Sequence, residues 1–113
     1  MGSHKLAVEG SIGAREVKVT ATGWSDFVFK KEYDLPTLEE VEKHIAEKGH
    51  LKDIPSEEEV LKNGINLGEM NSKLLQKIEE LTLYMIEMKK ENEKQNEEIK
   101  DLKDQLSSKK QKL

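Results

Sequence analysis

Between Asn71 and Leu113 the chain keeps a seven-residue repeat, with Asn71, Ile78, Met85, Asn92, Ile99, Leu106 and Leu113 at position a and Leu74, Leu81, Met88, Gln95 and Leu102 at position d. A stripe this narrow cannot be buried by its own helix, and over about six heptads its holes must be filled by the knobs of partner helices. The repeat therefore predicts a coiled coil and, with it, an oligomer. Ile at a with Leu at d favours two strands, whereas Met85 and Met88 adapt to several packings, so residue choice leaves the number of chains open. Asn71, Asn92 and Gln95 are polar seam residues, which cost stability but penalise slipped registers and wrong partners. Glu98 at g and Lys103 at the following e are spaced for an interhelical ion pair.

In a chain of 113 residues the repeat leaves roughly 65 residues for everything else. With 4% aromatic residues and a mean hydropathy of -0.78, that remainder can bury only a thin core. The first half of the long helix carries apolar residues outside the seam, at Met70, Leu75, Leu83, Tyr84 and Ile86. The preceding short helices, folded back onto the stalk, are expected to cover them; docking of an outside protein on that surface is the competing expectation.

Upstream, residues 5–22 alternate as strands do, with Leu6, Val8 and Ile12 in one phase and Val17, Val19 and Ala21 in the other, and a slip near Gly13. Trp24, Phe27, Phe29 and Tyr33 form an aromatic cluster expected to make the globular core, together with Leu38, Val41 and Ile45. Thr37 with Glu40 and Ser56 with Glu59 read as capping boxes for two short helices closed by Gly49 and Gly64, and Asn66 with Glu69 opens the third helix. The expected fold is an α-rich α+β arrangement: a short N-terminal β segment, two short helices, and a long C-terminal helix forming a parallel, trimeric coiled coil. Residues 1–4 read as an expression scar, 5–22 as the β segment ending a stalk or fibre, 23–65 as the small aromatic-cored region, and 66–113 as the coiled-coil helix.

Charge and motifs narrow the function classes. A net charge of -4 argues against nucleic acid as the main partner, because phosphate neutralisation needs a basic face. No apolar run approaches the ~20 residues of a membrane span, so no membrane insertion is expected. The chain has no cysteine, and His44 and His50 lie six apart, off one helical face, so neither a metal site nor another cofactor is expected. Gly10, Gly13 and Gly23 lack the Lys-Ser or Lys-Thr of a phosphate loop.

The motifs Gly23-Trp24-Ser25-Asp26-Phe27-Val28-Phe29, Tyr33 to Glu42, His50-Leu51, Ile54-Pro55-Ser56, Gly64 to Asn71 and Leu74 to Thr82 follow one another in an order with a precedent. It resembles the C-terminal module of bacterial surface and phage tail-fibre-like proteins, related in layout to the endosialidase-type intramolecular chaperone domain. The likeness spans about residues 5 to 90. It implies a homotrimeric cap, with a dimer as the alternative, that joins and registers the chains of an upstream fibre or adhesin, placed outside the cell, at the cell surface or on a phage virion. The seam residues expected to carry association are Leu74, Ile78, Leu81, Met85, Met88, Asn92, Gln95, Ile99, Leu102 and Leu106.

In the related chaperone class, a serine beside an acidic residue can support self-cleavage, which makes Ser25 and Asp26 the candidates here. The Ser-Asp-x-x-Leu-Lys pattern of cleaving members is not matched, since this chain reads Ser25-Asp26-Phe27-Val28-Phe29-Lys30. A turn role for the pair is the expected one, and the protein is expected not to be an enzyme.

Overall fold

The computed structural model describes residues 3–20 and 23–112 and is mostly helical, with three helices in the order α1 (Leu38–Lys48), α2 (Glu57–Asn63) and α3 (Leu67–Lys112). Each boundary has a local cause. Thr37 stands in an extended conformation and its hydroxyl accepts from the Glu40 N–H, while Gly49 adopts φ 78° and returns its N–H to the Ile45 carbonyl. Only a residue without Cβ takes that left-handed position at no cost. Ser56 repeats the first device with the Glu59 N–H, and Gly64, at φ 67°, closes α2 on Val60. Asn66 opens α3 by donating its side-chain amide to Glu69.

At 1.5 Å per residue the 46 residues of α3 make a rod of about 69 Å, which dominates a molecule of 84 × 32 × 31 Å. The radius of gyration, 23.4 Å, far exceeds the roughly 13 Å of a compact domain of this length. The reason is that α1 and the segments on either side of it fold back only onto the first half of α3. From Met85 to Lys110 every residue is exposed.

Two expectations need correction. The β segment is not formed: residues 5–20 contain no strand, and positions 21–22 lie outside the described residues. Alternation selects which side chains share a face, but a strand exists only when its N–H and C=O groups meet a neighbouring strand. A single chain offers this segment none, and Leu6, Ile12 and Val17 stay 70–80% exposed.

The second correction concerns the core. Val28, between the two phenylalanines, is buried at 1% exposure, whereas Trp24, Phe27 and Phe29 are 55%, 39% and 61% exposed. Val28 lies at the centre of a turn closed by the Lys30 N–H on the Phe27 carbonyl at 3.3 Å, and this turn seats Val28 inward while Phe27 and Phe29 stay outside. Leu38 and Ile45 are likewise exposed, while Tyr33 and Val41 are half-buried; Tyr33 packs its ring against Phe27 at 5.6 Å.

The N-terminal segment touches α3 at Val19. A methyl group built on Gly68 would lie 2.9 Å from Val19 Cγ1, closer than two carbons tolerate. Gly68 therefore admits Val19 beside the first turn of α3. Gly68→Ala alone is expected to be near neutral, because the gain in helix propensity is offset by displacing Val19. In a Val19→Ala background the same change is expected to stabilise by about 0.5–1 kcal/mol. Urea unfolding of the four proteins in this double-mutant cycle measures the coupling; additive effects would mean that Val19 and Gly68 do not meet in solution.

Candidate functional site

The segment before α1 is fastened along one diagonal row of α3 through Ser72, Gln76 and Tyr84, with Glu80 in the same row, and the α1–α2 loop reaches Lys77 beside it. These positions are four apart, so they stack on one side of the helix and drift slowly around it. At the top, Ser25 is buried against Ser72. The Ser25 N–H donates to Ser72 Oγ at 2.9 Å, its hydroxyl donates to the Ser72 carbonyl at 2.9 Å, and the two hydroxyls lie 2.8 Å apart. One turn down, Gln76 donates to the Tyr33 hydroxyl at 3.2 Å. Glu80 is 5% exposed and is paired with Lys77 at 2.9 Å; Lys77 also faces Asp53 at 3.8 Å. At the bottom the Tyr84 hydroxyl donates to the Pro36 carbonyl at 2.7 Å. Asp53 holds a positive φ of 69°, a conformation that Asp tolerates better than most residues, and this turns its loop toward Lys77.

Burial pushes the phenol of Tyr33 above its ordinary value, against the opposing effect of the Gln76 hydrogen bond, with the Glu80 carboxylate adding to the rise. Tyr84 rises for the same first reason, with Glu80 next. A phenol whose pKa is higher in the folded chain than in the unfolded one stabilises the fold fully below about pH 10. That contribution is lost as the pH climbs through the raised folded values. The docked cap is therefore expected to loosen in alkali above pH 10. Because the chain has two tyrosines, a phenolate absorbance titration can follow both. Midpoints at the value of a free tyrosine would mean the phenols are not held against α3.

The opposite side of the same helix is bare. Leu74, Ile78, Leu81, Met85 and Met88 are 47–68% exposed, and farther along Ile99, Leu102 and Leu106 are 50–60% exposed. Asn92 and Gln95 continue the same exposed line. The apolar residues outside the seam divide: Tyr84 is buried and Met70, Leu75 and Leu83 are half-buried near the folded-back segments, whereas Ile86 remains 45% exposed. Between α1 and α3 lies a groove of about 330 Å³, walled by Pro36, Val41, His44, Leu51, Leu81 and Tyr84, with Glu40 and Lys52 also on its lining. His44 Nε2 is buried there without a hydrogen-bond partner, and its ring meets that of His50 edge-on at 5.7 Å.

Of the residues singled out by sequence, the heptad positions are brought into one line. Ser25 is placed in the clasp on Ser72, while Asp26 is exposed. The hydrogen-bond partners of the Ser25 hydroxyl are Ser72 atoms, and neither His44 nor Lys30 is among them. Sequence pattern passes over Ser72, Gln76, Lys77, Glu80 and Asp53, because polar residues on the outer positions of an amphipathic helix ordinarily face water. The signal that could have found them is the i, i+4 row that ends in Tyr84, a large ring on what should have been a polar face. No protein-family description, curated protein or solved structure matches the chain.

Proposed function

We propose that this chain is a self-assembly module, whose long helices join as a parallel homotrimer and fix the register of the chains of a fibrous surface or tail-fibre-like protein. One observation carries the reading: the chain covers one side of the first half of α3 with its own loops yet leaves the a and d line exposed from Asn71 to Leu106. Exposed contiguous apolar surface on this scale is a mark of an interaction site, and its heptad spacing fits a second and third copy of the same helix. The order of motifs upstream, which resembles the C-terminal modules of such fibres, supports the trimer over the dimer.

The mechanism is thermodynamic. Each seam layer contributes free energy only when every chain is present, and the joined stalk raises the local concentration of the upstream segments. Residues 5–20, unpaired in the single chain, then have neighbours of identical sequence with which to form ladders between chains. Light scattering over a concentration series is the direct test. A mass near three times 13.0 kDa is expected; a stable dimer would break the likeness to trimeric fibres, and a monomer would assign the seam to a different protein.

A further inference from the structure

We propose, on the premise of that assembly, that the groove between α1 and α3 is half of an inter-chain site, closed by the e flank of a neighbouring copy with Thr82 at its centre. The α3 residues on the groove wall are Lys77, Glu80, Leu81 and Tyr84. In the heptad frame these are g, c, d and g, so the groove occupies the g side of the helix and shares Leu81 with the seam. A helix seated on the seam at Leu81 must border the groove. In a parallel pair the g position of one helix faces the e position of the next heptad on its neighbour. Lys77 then faces the neighbouring copy's Thr82, and Tyr84 faces its Lys89, with Ile86 beside them.

The charges of the two flanks favour that parallel arrangement. Below the cap the g flank carries Glu91, Glu98, Gln105 and Lys112, and the e flank carries Lys89, Asn96, Lys103 and Lys110. In parallel, in-register chains Glu98 meets Lys103 of the next copy, while Glu91 meets Asn96 and Gln105 meets Lys110. Antiparallel chains bring g against g and e against e, opposing like charges. Thr82 at e, and Ile86 at the adjoining b position, are exposed at the height where the chain's own cap sits on c and g. The unpartnered Nε2 of His44 marks the groove as incomplete within one chain.

The absence of cysteine makes a clean test possible. Glu40→Cys places a thiol on the α1 wall, and Thr82→Cys places one on the e flank. The two variants, one carrying a size tag, are mixed, unfolded and refolded together, sized by light scattering, then treated with a short bismaleimide. A covalent heterodimer is expected from the mixture, with at least tenfold less linked product from either variant alone. A mixture that sizes as an oligomer but gives no heterodimer overturns the groove assignment and leaves the assembly reading standing. Prominent Thr82→Cys self-linking would indicate an antiparallel pair and also overturn it. A mixture that sizes as a monomer removes the premise as well. As an independent readout, an apolar dye is expected to bind the wild-type oligomer no better than a Val41→Glu variant that retains the oligomeric mass. Strong binding by the wild type alone would mean the groove stays open to small ligands and would overturn closure by a second copy.

Discussion

On the proposed assembly, Ile78→Glu combined with Leu81→Glu is expected to give a 13.0 kDa monomer at concentrations where the wild-type chain sizes as a trimer. Both side chains are more than half exposed in the single chain, at 58% and 59%. Burying that remainder contributes about 1 kcal/mol or more per residue. Across the two layers of a trimer the loss is at least about 6 kcal/mol, or some four orders of magnitude in the association constant. Crowding of the new carboxylates adds to it. Ile78 lies away from the row that holds the cap, but Leu81 also lines the groove beside α1, so trypsin resistance of α1 is read alongside the mass to distinguish dissociation from undocking of the cap. A double variant that kept the wild-type mass would sink the seam as the association surface.

Tyr84→Ala is expected to have the largest effect within a chain. The side chain is 8% exposed, lies on the groove wall and holds the Pro36 carbonyl. Removing a buried aromatic ring costs about 3–5 kcal/mol. The cost falls on the contact between α1 and α3, because the rest of α3 keeps its own backbone hydrogen bonds. Amide exchange in α1 should therefore quicken by about a hundredfold or more, while exchange along α3 beyond Lys89 stays unchanged. Tyr84→Phe keeps the ring and loses only the hydroxyl, so about 1 kcal/mol and several-fold faster opening are expected. Equal effects of the two variants would show that the hydrogen bond, not the packing, holds α1.

The helices and their ends are legible in the residues themselves. Thr37 and Ser56 meet a backbone N–H three residues on, Gly49 and Gly64 take the positive φ that ends a helix, and the heptads maintain one line over the length of α3. All of these are interactions within a few residues of sequence, and local chemistry suffices to specify them. Which side of α3 the cap covers, and which residue fills the small core, depend on contacts between residues more than forty positions apart. Ser25 meets Ser72, Tyr33 meets Gln76, and Pro36 meets Tyr84. Seating those three contacts turns Val28 inward and leaves Trp24 and Phe29 outside, a choice that hydrophobicity alone reverses. The N-terminal alternation shows the same limit from the other direction: its period is readable, but a strand requires a neighbour to bond to, and no local pattern supplies one. Local sequence chemistry thus determined the three helices and the line of a and d positions, whereas tertiary packing decided which faces the chain covers itself and which it leaves exposed.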